Sequence, residues 1–377
     1  MRRTPSFEPP AITKNDAKVY VETRRYKLIT PLFGGGVEPQ TADPLTVIRA
    51  SEIRGHLRFW WRATRGGQYS SLERLQEAEA KAQGDKKKTT AYDLLRDAEG
   101  ALWGDTARPS PISIEVNVVQ PGQPEVAFTV KGSKPEPSAN VADYAAFPLL
   151  PTDDDRKKAG WQSKPVRVGV EFTVTFRIAR DAYERHNADL EAALWAWETF
   201  GGVGGRTRRG FGALQRVDGG AKLRDRDGIE KFIREGFAKH VVPEPPVAGV
   251  PHLTPEHRLW RLTKNAADKP IEAWKSLIKK LKDFRQYRLG KDGKQSEYGK
   301  SVWPEPDVIR NAVKGKRDGQ DPSPFPRAVF GLPIIFHFPQ DRTPDATLVG
   351  TEQDRLASRL ILRPIALEKG AVRAVLR

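Results

Sequence analysis

"NADLEAALWAWETFGGVGGRTRRGFGALQRV", Asn187 to Val217, decides how the rest of the chain is read. In its first half Leu190, Ala193, Leu194, Trp197 and Phe200 fall on one face at 3.6 residues per turn. The spacing predicts a helix over 187–200 with Asn187 as its N-cap. Gly201, Gly202, Gly204 and Gly205 then end it, because glycine reaches positive φ without a Cβ clash. "GFGALQRV" (210–217) reads as a strand.

The strands that this unit needs as neighbours lie upstream. "KVYVETRRYKLIT" (18–30) alternates apolar and polar residues, and "PISIEVNVV" (111–119) and "PVRVGVEFTVTFRI" (165–178) are β-branched and alternating. "IRASEIRGHLRFWWRATRGG" (48–67) holds a helix, and the charged, alanine-rich runs 71–83 and 91–100 are helical as well. Residues 120–164 are rich in proline, lysine and aspartate and read as a functional loop or mobile insertion. Strand, helix, strands, helix, strand is the order of a split βαβ (ferredoxin-like, RRM-like) domain, here over 1–240. "VVPEPPVAGVP" (241–251) reads as a linker. Beyond it the patterns predict a strand near 258–263, helices at 270–289 and 306–314, and strands at 329–338 and 358–367. The expected fold is α+β: two ferredoxin-like domains with insertions, divided as 1–240 and 241–377.

The chain has 377 residues and a formal net charge of +16, which points to a polyanionic partner, nucleic acid first. It contains no cysteine, so disulfides and cysteine–zinc sites are excluded. No apolar run approaches the roughly 18–20 residues that cross a bilayer. The basic start lacks the apolar core of a signal peptide. The expectation is a cytoplasmic protein without a membrane partner, metal or cofactor.

Two runs carry the candidate chemistry. On a helical wheel Ile53, Leu57, Trp60 and Trp61 form an apolar face, and Arg54, Arg58, Arg62 and Arg65 a neighbouring stripe. Like charges four apart repel by a few tenths of a kcal/mol per pair, about 0.2–0.5. No carboxylate in the run offsets them apart from Glu52 on another side. An external phosphate along the stripe would, and arginine's planar fork suits phosphate. At this spacing the tryptophans belong to the core. In the second run, Arg206, Arg208 and Arg209 with the Thr207 hydroxyl follow four glycines, so that backbone and cations could together clamp a nucleic-acid backbone. Competing motifs fail. Thr207 stands where a dinucleotide fingerprint needs glycine, and no G-K-[ST] is present. "RGFG" (209–212) matches only half of an RNP1 motif.

Together these runs resemble the RAMP superfamily of CRISPR proteins, and within it the family of first subunits of Cmr (type III-B) effector complexes. "TPLFGGG" with "IRASEIRGHLRFWWRA" is similar to that family's N-terminal signature, and "GGVGGRTRRGFGAL" to the RAMP glycine-rich loop. "ALWGDTARPSPISIEV", "DFRQYR", "SVWPEPDVIR", "FGLPIIFHF" and "SRLILRPI" resemble further segments. The resemblance implies two ferredoxin-like domains in a ribonucleoprotein, other RAMP subunits as partners, and a non-catalytic role holding guide (CRISPR) RNA and target RNA near the guide's 3′ part. Carried over by position, the RNA-facing residues are Arg54, Arg58 and Arg62, flanked by Arg49 and Arg65, and Gly201 to Phe211 with Gly202, Gly204, Gly205, Arg206, Thr207, Arg208 and Arg209. Gly34, Gly35 and Gly36 form the adjoining loop.

Two other readings stay open. Some RAMP relatives cut RNA without metal, and His56 is then the acid–base residue. Alternatively the basic faces meet acidic proteins in a structural scaffold. "TDDDRKK" (152–158) reads as a solvated turn, and the lysines 275, 279, 280 and 282 as a solvated helix face.

Overall fold

Alternation in the first strand buries every second side chain and sets one face of a sheet. The protein is described by a computed structural model covering residues 19–83, 90–132, 134–158, 160–254, 267–290, 292–296, 299–315, 325–338 and 343–376. In chain order the elements are β1 (Val19–Leu28), α1 (Ala50–Arg65), α2 (Gln68–Gln83), α3 (Ala91–Trp103), β2 (Ile112–Val126), β3 (Phe128–Lys131), β4 (Lys134–Pro137), α4 (Asp153–Arg156), β5 (Pro165–Ala179), α5 (Arg180–Phe200), β6 (Leu214–Arg216) and α6 (Arg226–His240). The C-terminal part adds α7 (Pro270–Arg285), β7 (Arg288–Leu289), β8 (Lys300–Ser301), α8 (Glu305–Val313), β9 (Ile334–Phe336), β10 (Ala346–Leu348), β11 (Ile361–Ala366) and β12 (Ala371–Leu376).

Four strands pair antiparallel in the order β2-β5-β1-β6. One face packs Tyr26, Leu28, Phe172, Val174, Phe176 and Ile178 against α1, α3 and α5, with Ile53, Leu57, Trp60, Trp61, Leu194 and Trp197 in the same core. The tryptophans of α1 are therefore core residues, as their spacing predicts. The other face is polar. Thr23 and Thr175 share a 2.9 Å hydroxyl contact, Arg25 pairs with Glu171 at 2.8 Å, and Arg177 pairs with Glu115.

Several boundaries differ from the sequence expectation. β5 runs straight into α5, so the helix starts at Arg180 and Asn187 lies inside it rather than capping it. The strand expected over 210–217 shortens to β6, because Gly210 and Gly212 hold φ of 82° and 59°. The 120–164 segment is folded. β2 and β5 keep pairing out to Val126↔Pro165, and β3 and β4 form a hairpin. Beyond the hairpin Val141, Ala142, Ala145, Ala146 and Leu149 pack inward. Past a register shift at Val118/Gln120, β2 carries Pro121 and Pro124 along its outer edge.

The helices expected at 270–289 and 306–314 are α7 and α8; the strand expected near 258–263 lies outside the described residues. The fold is α+β. Among the described residues the C-terminal part forms two-stranded sheets, β7 with β8, β9 with β10 and β11 with β12, rather than a second four-stranded one. Trp274, Ile278 and Leu281 of α7 join Phe33, Phe128, Phe211 and Leu362 in a second core. Segment 241–251 lies along the end of α1, where the Val242 amide bonds the Thr64 carbonyl at 2.9 Å. Among the described residues no helix is long and apolar enough to cross a membrane.

Candidate nucleic-acid interface

The glycine–arginine loop is built at the end of α5. The Gly201 amide caps the helix by bonding the Trp197 carbonyl at 2.9 Å, and the Trp197 indole bonds the Gly202 carbonyl at 3.1 Å. Gly204 adopts φ of 80°, and a Cβ there would stand 2.7 Å from the Phe33 carbonyl oxygen. The two glycine runs therefore meet. The Gly205 amide bonds the Phe33 carbonyl at 2.7 Å, and a Cβ on Gly35 (φ 95°) would touch the Gly204 Cα at 3.6 Å. Glu52 of α1 accepts the Gly204 amide at 2.6 Å, fastening the loop to the helix. Gly34 (φ 62°) and Gly36 complete the turn, the Gly36 amide bonding the Thr41 carbonyl at 2.9 Å.

Thr207 to Arg209 form a short 3-10 turn that fans the loop arginines in different directions. Arg206, itself at φ 58°, bonds the Ala145 carbonyl at 2.6 Å and lies over the Phe147 ring at 4.6 Å. Arg209 bonds the Phe330 carbonyl at 2.6 Å and Ser358 Oγ at 3.1 Å. Burial lowers the pKa of both guanidinia to about 10. Arg208 lies over Phe59 at 5.6 Å and has no carboxylate partner among the described residues; burial lowers its pKa as well. Phe211 is fully buried between Phe33 and Trp274, at ring distances of 5.1 and 4.7 Å. The expectation that it faces RNA is corrected, because its ring is core.

The arginines of α1 have partners that the sequence hid. Arg58 and Arg62 both donate to Glu99 of α3, the former at 2.7 Å. Arg54 donates to the Trp103 and Ile112 carbonyls at 3.1 and 2.8 Å, and Arg65 pairs with Asp189 at 2.9 Å. Arg49 donates to the Gly35 carbonyl. The repulsion along the stripe is thus met from inside the molecule. His56, roughly 160° round the helix from both Arg54 and Arg58, turns toward the glycine–arginine loop with Phe59 and Trp60.

Between this face of α1, the loop, the 144–148 turn and the C-terminal segment lies a cleft of about 1120 Å³. Six arginines line it, Arg206, Arg208, Arg209, Arg285, Arg327 and Arg355, and no carboxylate does among the described residues. Phe59, Tyr144, Phe147 and Phe330 supply its aromatic wall. His56 lines it too, with Nε2 3.6 Å from Glu52 Oε1 and no hydrogen bond. A cleft in which cations and rings are interleaved and no carboxylate lines the wall among the described residues suits a sugar-phosphate chain.

A family model described as the RAMP superfamily matches residues 25–215, from β1 to β6 and across the glycine–arginine loop. The chain belongs to the RAMP superfamily. No curated protein matches its sequence. Among solved structures this RAMP chain is similar to Cmr1 from Pyrococcus furiosus in its apo form, at 17% identity and a TM-score of 0.46, covering 95% of this chain and 87% of that one. It is also similar to a chain of a type III-B Cmr-beta structure bound to cognate target RNA, at 12% identity and a TM-score of 0.47, covering 95% and 94%.

Sequence reading of this RAMP missed Arg327 and Arg355 altogether, since single arginines far downstream carry no local pattern. Arg285 sits in "DFRQYR" at the end of α7, and only its place in that segment marked it. Two lysines of α7 do structural work: Lys275 donates to the Ala139 carbonyl and Lys282 pairs with Asp143 at 3.3 Å, holding the 120–164 segment in place, while Lys279 and Lys280 are exposed on the solvated face. In "TDDDRKK" Thr152 caps α4, while Lys157 and Lys158 pair with Asp154 and Asp155 at 3.0 and 2.9 Å. Among the described residues no cluster of three metal-ligating side chains occurs.

Proposed function

We propose that this RAMP is a non-catalytic RNA-binding subunit of a type III-B CRISPR effector complex. It would help to hold guide RNA and target RNA near the guide's 3′ part, in the cytoplasm, beside other RAMP subunits. The observation that carries RNA binding is the cleft lined by six arginines and no carboxylate among the described residues. The type III-B assignment rests on the signature segments, and with it comes a chain of two ferredoxin-like halves, 1–240 and 241–377. Arg206, Arg208 and Arg209 neutralise phosphates from the loop, and the glycines let backbone approach. Arg54, Arg58 and Arg62 serve first to fix α3 and β2 to α1. Sequence recognition is left to pairing between guide and target, because phosphate contacts carry no base information.

A salt titration tests this reading. Affinity for single-stranded RNA should fall with log salt at a slope of roughly −0.7 per phosphate contacted. Arg208→Ala should flatten that slope by about one contact, because among the described residues Arg208 is the loop arginine whose guanidinium has no hydrogen bond to the protein, only the Phe59 ring beneath it. Arg58→Ala with Arg62→Ala should leave it unchanged. An unaltered slope in Arg208→Ala would remove the loop from the site. A second reading is favoured by His56, whose imidazole lines the same cleft. RNA cleavage that survives EDTA and is lost in His56→Ala would establish a metal-independent nuclease instead.

A further inference from the structure

The cleft opens beside the C-terminal end of α7, and an unusual set of side chains stands there. Phe284 is 50% exposed and Tyr287 is 36% exposed, although a lone chain gains by burying both rings. Trp303 is half-buried, and its indole Nε1 donates to the Phe284 carbonyl at 2.9 Å, which pins it to the helix end. The Val302 amide bonds the Tyr287 carbonyl at 3.2 Å, so the two chain segments lie side by side. Phe284 meets Trp303 edge-on at 5.0 Å and Phe330 at 5.7 Å. Phe330 in turn lines the cleft, as do Arg285 and Gln286. The rings of Trp303, Phe284 and Phe330 therefore form an unbroken ridge that leads from the cleft to the surface, with the exposed Tyr287 three positions beyond Phe284.

Charge around the ridge has one sign to spare. Asp283 is taken by Lys279 at 2.7 Å, Asp307 by Lys300 and Arg310, and Glu305 is buried against Arg327. Lys280 and Arg285 have no such partner among the described residues. Apolar rings interleaved with uncompensated cations, continuous with a cationic cleft, match a single strand whose bases stack while its phosphates are neutralised. An acidic protein would use the cations but would not need the path to continue into the cleft.

We propose that a single-stranded RNA leaving the cleft runs over this ridge, with bases stacked on Phe284, Tyr287 and Trp303. The inference rests on the cleft reading and extends it by several nucleotides. The strand lies open here: a base-paired duplex would bury its ring faces and could not stack on these residues.

Length and salt separate the ridge from the cleft. Uridine oligomers of about four and about twelve nucleotides would be titrated against the full chain. Phe284→Ala with Trp303→Ala should weaken the longer oligomer about tenfold and leave the shorter one unchanged, with the salt slope intact, because stacking releases no counter-ions. Phe284→Leu, which keeps the packing volume, should behave like the alanine variant, and Trp303→Phe should restore most of the affinity. Arg208→Ala should weaken both lengths and flatten the slope. The ridge is overturned if the longer oligomer binds the double variant and the wild type alike, or if Phe284→Leu binds like the wild type. It is also overturned if the double variant loses only its assembly with other subunits, which would make the ridge a protein-docking surface. Wild type that binds neither length would sink the cleft reading itself, and the ridge with it.

Discussion

Glu99, with a side chain only 10% exposed, holds two arginines of the neighbouring helix at once. The partners lie 41 and 37 positions apart in the chain, so the repulsion in α1 is visible in sequence while its remedy is not. The same holds for Phe211, whose loop position looks accessible and whose ring is sealed by Phe33 and Trp274 from distant segments. His240 gives a test at this scale. Burial first, then Lys239 and Arg65, lowers its pKa from 6.5 to about 4, while its ring stacks on Trp195 at 5.4 Å. The folded state thus keeps it neutral. Its contribution is fully present above pH 6.5 and is lost as pH falls from 6.5 towards 4. The imidazole is partly open to solvent, so the screened effect is about 1 kcal/mol. His240→Phe keeps a ring on Trp195 and should lose about that much less stability over this interval in urea titrations.

The elements of the N-terminal sheet were legible because each buries alternate residues along a regular pattern. The boundaries were not, since β5 and α5 share a junction without a turn signal and β6 is cut short by Gly210 and Gly212. The 120–164 segment hid its order differently: its small residues pack against α7, an element more than a hundred positions away. Gly212 shows how tightly the loop is fitted to the strand. At φ 59° a Cβ there would lie 1.9 Å from the Val203 carbonyl oxygen. Gly212→Ala should cost at least about 3 kcal/mol, as strain and overlap add. Gly132, at φ 63° with nothing within 4 Å, should lose only about 1 kcal/mol on the same change. Urea midpoints for the pair would separate backbone strain from collision.

Across the molecule, one guanidinium joins the C-terminal part to the glycine–arginine loop and the first sheet. Arg363 of β11 is buried and donates to the Gly201 and Leu214 carbonyls, both at 2.6 Å. Burial lowers its pKa to about 9, so it stays charged at neutral pH. Nothing near "ILRPIA" marks this contact, because it joins positions 149 and 162 residues apart. Arg363→Met keeps much of the volume but leaves two buried carbonyls unpaired, at about 3 kcal/mol. Denaturation followed at tryptophan and by circular dichroism should show the midpoint fall while both probes still report one transition, since Ile365 and Leu367 sit in the core of the first sheet.

The prolines on the rim of the first sheet reach beyond the chain itself. β6 is three residues long, and β2 loses amide donors at Pro121 and Pro124 just past its register shift. Both features shorten the row of hydrogen-bonding groups that the margins offer to an incoming strand, confining it on β2 to the stretch before the shift. Strand addition between neighbouring molecules is thereby disfavoured, which restrains polymerisation and gives complementary surfaces the larger part in any assembly.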